Sequence, residues 1–369
     1  MNINRRDWLK TAFLGSAALT LSPLEFLANE TPNFNELKNS NETIRLCFNE
    51  NPFGTSPKAL EAMQKSLSLS SRYDFKLADV LCEKIAGNNN VKKENILVSA
   101  GSSFLLELIT KYVSLDKGHI IIPDPSFTIF APIAEFLGMS KSVIELNDKK
   151  KIDLEKMKNS IQKDTKLIYI CNPNNPTGDL LSRLEIENFI KSIPDNIIVL
   201  VDEAYIEFVP TLSCVDLTQE YDNVIVLRSF SKAYGLAALR IGYAVSSASI
   251  AEILNYTRQS FNTSTLAHAA ATAAIKDQHF INQYLAFNHE QKQALYDGLD
   301  SLGVVYVKSA TNFVMVNVGD GMDIYQTLIE QGVVVRPMVG YGLPAWIRVS
   351  VGLPEEINRF LDTLAQVLS

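Results

Sequence analysis

Lys232 stands in the stretch "RSFSKAYGLAALRIGY" (228–243), among small and apolar residues, with Arg240 later on the same run. Burial penalises an ammonium, so an enclosed lysine is held as a neutral amine, the form that attacks a carbonyl to make a Schiff base. A single lysine is ordinarily a surface residue; the flanks "RSFS" and "AYGLAAL" argue here for enclosure. Arg240 then offers a fixed positive charge, for a phosphate or for a buried carboxylate. Asp202 follows the apolar run "NIIVLV" (196–201), and a carboxylate there is costly to bury without a cation. As a cap it would be unremarkable; as partner of a protonated ring nitrogen it needs that strand-end position. Gly101-Ser102-Ser103 closes another apolar run and opens a helical one. Backbone N–H groups at a helix start bind phosphate and serine hydroxyls add donors, although the same tripeptide also serves as a plain turn and cap.

These residues need elements to hold them. "NILVSAG" (95–101) reads as a strand running into a glycine turn, and "SFLLELITKYVS" (103–114) has helical spacing. "HIIIPDP" (119–125), "KLIYICNPNNPTG" (166–178), "NIIVLVDEAY" (196–205), "NVIVLRSFS" (223–231) and "LRIGYAVSS" (239–247) read as further strands. "SRLEIENFIKSI" (182–193) reads as a helix capped by Ser182, with Glu185 in the reciprocal position. Residues 249–300 read as helix throughout. After residue 303 the strands "VVYVKSATNFVMVNV", "VVVRPM" and "WIRVSVG" mix with helices and end in "PEEINRFLDTLAQVL". Unbroken Ile/Val/Leu runs predict strands covered on both faces, hence an α/β fold with a mostly parallel sheet and a second, smaller α+β unit. Ligands of such sheets bind at the carboxyl ends of strands. Polar exceptions fall there in Gly101 to Ser103, at Phe127, at Asn175, at Asp202 with Tyr205, and from Ser229 through Arg240. A phosphate cradle, an acid for a ring nitrogen, hydroxyl-bearing neighbours and an enclosed lysine together describe a pyridoxal phosphate site. Lys232 would be held as an imine, with Arg240 facing the phosphate.

The ordered set "NENPFGTSPKAL" (49–60), "CNPNNPTG" (171–178), "VDEAY" (201–205), "SFSKAYGLAALRIGY" (229–243), "VVVRPMVGYGLP" (333–344) and "IRVSVGLPEE" (347–356) resembles the fold-type I aminotransferases, and within them the histidinol-phosphate aminotransferase branch. The likeness runs from about residue 44 to the C-terminus. It implies an N-terminal arm at 31–55 joining a small domain, a large cofactor-binding domain with a mostly parallel seven-stranded sheet at 56–265, and an interdomain helix with the small domain at 266–369. It implies that Lys232 is the Schiff-base lysine and proton carrier, that Asp202 pairs with the pyridine nitrogen, and that Asn175 and Tyr205 bond the ring hydroxylate. Gly101, Ser102, Ser103, Ser229 and Arg240 would bind the phosphate, and Phe127 would stack on the ring. Tyr73, in "SRYDF", would reach the phosphate of a neighbouring subunit, which implies a homodimer. Arg348 would clamp the anionic group of the substrate, with Asn51 and Arg336 as further substrate contacts.

The activity so implied is pyridoxal-phosphate-dependent transamination between an amino donor and an oxo acid such as 2-oxoglutarate. A decarboxylase or lyase on the same scaffold would keep every cofactor residue and differ only in which α-carbon bond stands perpendicular to the ring. A non-catalytic binding protein would have no need of both Lys232 and Asp202. Two departures from the pattern are visible: "SRYDF" lacks the proline that usually follows its tyrosine, and Gly101-Ser102-Ser103 replaces a more acidic variant.

With 47% hydrophobic and 20% charged residues in 369, the chain can bury a large core. With a net charge of −7 and no basic tract after residue 10 long enough to follow a phosphate backbone, no nucleic-acid partner is expected. Cys47, Cys82, Cys171 and Cys214 are scattered without CxxC spacing; they read as buried thiols, and no metal site is expected. The first thirty residues differ from the rest. "NRRDWLK" (4–10) resembles the twin-arginine motif, and the uncharged run 11–24 behind it is shorter than the ~20 residues that span a bilayer. The expectation is a signal peptide over 1–30 cleaved near Ala28, a polar lead over 29–43, and export of a folded protein to the periplasm; an amphipathic helix of the mature protein is the alternative. No cysteine follows the run, so no stable membrane anchor is expected. Histidinol phosphate is a cytoplasmic intermediate, so the expected location and the branch's substrate pull apart.

Overall fold

The apolar runs of the sequence become the strands of three sheets in a computed structural model, which describes residues 43–209 and 213–368. The expected signal peptide lies outside the described residues. Strand β1 (Ile44–Arg45) leads into helices α1 (Pro57–Ser66) and α2 (Phe75–Asn89). Strands and helices then alternate: β2 (Ile96–Ser99), α3 (Ser102–Val113), β3 (His119–Asp124), α4 (Ala131–Phe136), β4 (Ser140–Glu145), α5 (Leu154–Asn159), β5 (Thr165–Cys171), α6 (Arg183–Lys191), β6 (Ile198–Asp202), β7 (Val224–Ser229) and β8 (Gly242–Val245). Helices α7 (Ala248–Thr257), α8 (Thr265–Lys276) and α9 (Gln278–Ser301) precede β9 (Tyr306–Val307), β10 (Phe313–Asn317), α10 (Gly321–Glu330), β11 (Val333–Val334), β12 (Arg336–Pro337), β13 (Trp346–Ser350) and α11 (Pro354–Leu368).

The larger sheet has seven strands in the order β2-β8-β7-β6-β5-β3-β4. Pairings from β7 to β4 are parallel, and β8 runs antiparallel to both of its neighbours. Strand alternation sorts its residues cleanly between two apolar clusters. Ile121, Ile168, Ile170, Val199, Val201 and Val226 pack against Leu81 and Ile85 of α2, Ile186 of α6 and Ala271 of α8. Ile120, Leu167, Tyr169, Leu200, Ile225 and Leu227 face Leu105 and Ile109 of α3 and Leu254 of α7. Each fully buried aliphatic side chain contributes roughly 1.5–3 kcal/mol. A one-residue slip of a strand would exchange its two faces and misplace the polar residues that end it. The second sheet is antiparallel, in the order β12-β13-β10-β9, and β1 pairs in parallel with β11. A third apolar cluster joins this region, with Leu46, Leu295, Val314, Ile347 and Phe360.

Local signals set the helix ends. Ser182 accepts from Glu185 N at 3.2 Å while Glu185 Oε2 accepts from Ser182 N at 2.7 Å, the reciprocal cap read from the sequence. Such a cap contributes about 1 kcal/mol. Two expectations need correction. The stretch 239–247 is strand only from Gly242, because Arg240 takes a left-handed φ of 48° after a short 3₁₀ turn at Ala237–Leu239. Residues 249–300 are not one helical run: α7 stops at Thr257, Phe261 takes φ 59°, and Ser264 starts α8 by accepting from Ala267 N. No glycine or proline marks this break. A tertiary bond fixes it, Asn262 Nδ2 to Ser99 Oγ at 2.8 Å.

Candidate active site

Cys171, Asp202 and Ser229 end β5, β6 and β7 on the sheet face that carries Tyr169, Leu200 and Leu227. Above these ends opens a cavity of about 490 Å³. Ser102, Ser103, Phe127, Asn175, Asp202 and Tyr205 line it, as do Ser229, Lys232, Arg240, Arg336 and Arg348. Segments far apart in sequence thus deliver the residues singled out above to one space.

Asp202 is 1% exposed. Ala204 N donates to its Oδ1 at 3.1 Å and Tyr169 Oη to its Oδ2 at 3.1 Å. Burial pushes its carboxyl up to about 6, against those two bonds. A protonated ring nitrogen in the cavity would reverse that penalty by supplying the missing cation. Lys232 is half-buried, its amine facing the cavity and donating to Phe48 O at 2.9 Å. Burial first, then the positive charge of Arg348, lowers it from 10.5 to about 8, with Glu50 opposing. The amine is therefore a nucleophile close to neutral pH.

Gly101 does not line the cavity wall but shapes it from behind. Its φ is 84°, and a Cβ there would meet Arg240 Nη2 at 2.6 Å. Only glycine lets the guanidinium lie against the turn that starts α3. Arg240 Nη1 is held by Ala237 O at 2.9 Å and Ser231 Oγ at 3.4 Å. Ser231, which sequence reasoning did not single out, also donates its N–H to Ser229 Oγ at 3.1 Å. A helix N-terminus, three serine hydroxyls besides Ser231 and an arginine converge there, a donor set with the chemistry of a phosphate site.

Asn175 is carried by a loop that its own side chains brace. Asn174 Nδ2 reaches Thr177 Oγ1 at 2.9 Å, Ser126 Oγ reaches Asn174 Oδ1 at 2.7 Å, and Asn172 bonds Leu181 through both amide ends. Asn side chains substitute here for backbone partners, as is common in turns. Arg348, on β13, donates to Asn175 Oδ1 at 2.5 Å and to Cys47 O at 3.0 Å, over the Phe313 ring at 5.1 Å. Its Nε is buried without a partner.

Two more of the expected residues, one of them expected to act in a neighbouring subunit, do not line this cavity. Asn51 does not line the cavity: its Nδ2 donates to Ala233 O at 2.9 Å and its Oδ1 accepts from Phe53 N at 2.9 Å. Asn49 takes the cavity position instead, its Nδ2 donating to Tyr205 Oη at 2.8 Å. Asn49 was missed because "NEN" offers two asparagines to one extended segment. Tyr73 is 75% exposed, its ring tilted against Phe261 at 4.4 Å between centroids, and lies outside its own chain's cavity.

The sequence pattern described as "Aminotransferase class I and II" matches residues 41–364. The chain belongs to that family. This aminotransferase is 39% identical to histidinol-phosphate aminotransferase 1 of Psychrobacter arcticus, over 89% of its own length and 88% of the relative's. It is 40% identical to histidinol-phosphate aminotransferase 2 of Pasteurella multocida, over 88% and 90% of the two lengths. Its fold is similar to the crystal structure of histidinol-phosphate aminotransferase from Sinorhizobium meliloti in complex with pyridoxal-5'-phosphate, with a TM-score of 0.81, 25% identity and 95% of each chain covered. The aminotransferase is an enzyme of pyridoxal-phosphate-dependent transamination, and the glycine-backed arginine, the serine cluster and the buried carboxylate fit that cofactor.

Proposed function

We propose that the enzyme transaminates a small amine carrying a carboxylate or phosphate, with an oxo acid such as 2-oxoglutarate as acceptor. The observation that carries this reading is Arg348: a buried guanidinium with an unpartnered Nε, on the cavity that Lys232 also faces. An anion there would meet a planar donor fork. Histidinol phosphate is the specific donor we propose first, since relatives near 40% identity carry its name.

In this reading Ser102, Ser103, Ser229 and Arg240 hold the cofactor's phosphate, with Gly101 giving Arg240 room. Phe127 stacks on the ring, Asn175 and Tyr205 hold its hydroxyl oxygen, and Asp202 keeps its nitrogen protonated. Bound pyridoxal phosphate supplies the electron sink that lets the substrate's α-hydrogen leave as a proton. Lys232 Nζ, brought down to about 8, has an unprotonated fraction near neutral pH that would take up that proton and hand it on. Arg348 orients the donor so that this hydrogen faces Lys232. Arg336, also on the cavity, contributes to the outer substrate contacts.

Three coarser features belong to the same reading. The third apolar cluster, which takes Leu46 and residues from Leu295 to Leu364, supports a small domain built from the arm within 31–55 and the later part of 266–369, beside a large one at 56–265; α8, at the start of 266–369, packs on the large sheet through Ala271. Exposure of Tyr73, Phe75 and Phe261 at 75%, 67% and 57% supports a homodimer that covers them, with Tyr73 offered to the partner's cofactor. The paired arginines at Arg5 and Arg6, with Leu9, Lys10 and the uncharged run that follows, support twin-arginine export and cleavage near Ala28. Among the described residues no helix is long and apolar enough to cross a membrane.

Purified holoenzyme assayed against histidinol phosphate, acidic and aromatic amino acids, with glutamate formation from 2-oxoglutarate as readout, tests the substrate. Turnover of histidinol phosphate supports the specific donor; turnover of other anionic donors alone removes it. Turnover confined to uncharged amines would overturn the Arg348 reading. Cell fractionation tests export: an uncleaved, wholly cytoplasmic chain would refute it.

A further inference from the structure

Asn49 is a non-glycine residue at φ 57°, 1% exposed, with every polar atom engaged. Its N–H donates to Ser350 Oγ at 2.8 Å, and its carbonyl accepts from Asn312 Nδ2 at 3.0 Å. Its Oδ1 accepts from Ser350 Oγ at 3.1 Å, and its Nδ2 donates to Tyr205 Oη at 2.8 Å. Donor counting fixes this orientation. Turned over, the amide would leave Ser350 Oγ accepting from both Asn49 nitrogens, with its own proton undelivered. In the arrangement found, the serine proton goes to Oδ1 and the amide N–H₂ faces the tyrosine.

The consequence falls on Tyr205. Its ring is fixed edge-on to Phe313 at 5.3 Å, and its oxygen already accepts a bond from Asn49. The phenol's own hydrogen has no acceptor among the described residues, while the side chain lines the cavity. Arg348, Cys171, Tyr341 and Asn49 act on this hydroxyl, and Lys232 Nζ lies 5.8 Å from the ring centre.

We propose that Asn49 is a positioning residue of the reaction: by filling the acceptor side of the Tyr205 hydroxyl it commits the Tyr205 proton to the cavity, toward the cofactor's ring oxygen. Ser350 sets the amide and thereby joins the strand of Arg348 to the cofactor side of the site. The inference rests on the role read above for Tyr205.

The visible band of the resting holoenzyme changes with pH as the nitrogen contributed by Lys232 loses its proton. A donor at the ring oxygen stabilises negative charge there and lowers the midpoint of that change. Tyr205→Phe removes the donor and raises the midpoint by about one pH unit, the worth of one hydrogen bond. Asn49→Gly keeps the positive φ without strain. It frees the hydroxyl to turn and raises the midpoint by roughly half a unit. Because Asn49 acts through Tyr205, Asn49→Gly adds nothing in the Tyr205→Phe background. Ser350→Ala, which releases the amide, moves the midpoint the same way in the parent and not in that background, and carries the test should Asn49→Gly fail to fold. Equal shifts in both backgrounds, or no shift from either variant while Tyr205→Phe does shift, would overturn the inference. An unmoved midpoint in Tyr205→Phe would instead overturn the role of Tyr205, and this inference with it.

Discussion

Glu203 and Arg228 form an ion pair at 2.8 Å, with side-chain exposures of 0% and 12%. They are the chain neighbours of Asp202 and Ser229, and strand alternation turns them to the opposite face of the sheet. Ser213 Oγ bridges them, donating to Glu203 Oε2 at 3.0 Å and accepting from Arg228 Nη2 at 2.8 Å. The pair ties the carboxyl ends of β6 and β7 together beneath the cavity, and so fixes the spacing between the Asp202 carboxylate and the serine cluster.

Removing one member should therefore cost stability out of proportion to one contact. Arg228→Met leaves Glu203 buried without its cation, and breaking a buried pair costs about 3–5 kcal/mol. Urea unfolding of the cofactor-free protein measures this. The double change Arg228→Met with Glu203→Leu should recover part of the loss, because it removes the stranded charge as well. A single variant within about 0.5 kcal/mol of the parent would mean that the pair is not needed.

Glu207 gives this cluster a pH dependence. Its Oε1 lies 3.3 Å from Arg228 Nη1, its Oε2 is buried without a partner, and burial pushes its carboxyl up to about 7. An acid whose folded value exceeds its unfolded one favours folding below the unfolded value. That contribution is lost as pH rises through the folded value. Between about 4.5 and 7 the parent should lose roughly 2–3 kcal/mol from this group. Glu207→Gln should flatten that slope, so that the variant gains on the parent at pH 8 relative to pH 5. Parallel stability curves for the two proteins would refute the assignment.

The strand-end residues were legible in the sequence because each interrupts an apolar run where a parallel strand must stop. The Glu203–Arg228 pair was not, because it needs β6 and β7 to be neighbours, and each residue alone reads as an ordinary charge beside a site residue. Asn49 and Asn51 share residue type and a two-residue spacing, so alternation could not separate them; the positive φ at Asn49 does. Strand β4, an edge strand with lysine, serine and glutamate among its residues, lacks the unbroken apolar run that revealed the buried strands. The break between α7 and α8 is written in a bond to Ser99, far away in the chain.

Gly101→Ala should weaken cofactor binding more than it weakens the fold. With φ 84° and ψ 164°, Gly101 occupies a region open essentially to glycine, which costs another residue about 1–3 kcal/mol, and the added methyl would meet Arg240 Nη2 at 2.6 Å. The guanidinium must then shift away from the turn that starts α3, and so from the serines expected to hold the phosphate with it. Cofactor affinity, followed by fluorescence titration of the apo protein, should fall about tenfold or more, while Arg240→Ala should abolish the difference between Gly101 and Gly101→Ala. Unchanged affinity in Gly101→Ala would refute the claim that Arg240 needs the space the glycine leaves.

Arg348, the proposed substrate clamp, also bears on the state of Lys232, and a single variant should expose both effects. Each charge-assisted bond it offers an anion is worth about 1.5–3 kcal/mol. Arg348→Ala should accordingly raise KM for carboxylate or phosphate donors by roughly 10²-fold, with less effect on kcat and little on cofactor affinity. Arg348→Lys should rescue only part of this, since an ammonium cannot present the planar fork. The second effect follows from charge. After burial, the Arg348 guanidinium is the next cause that lowers Lys232 to about 8. Its removal must let that value rise toward 10.5, so a smaller fraction of the amine is neutral at a given pH. Uptake of pyridoxal phosphate by the apo protein needs the neutral amine, and its rate profile should move to higher pH in Arg348→Ala. Arg348→Lys keeps a positive charge near the amine and should leave that profile close to the parent's. A raised KM with an unmoved uptake profile would separate the two roles and limit Arg348 to the substrate; lost cofactor affinity with an unchanged KM would reverse its assignment.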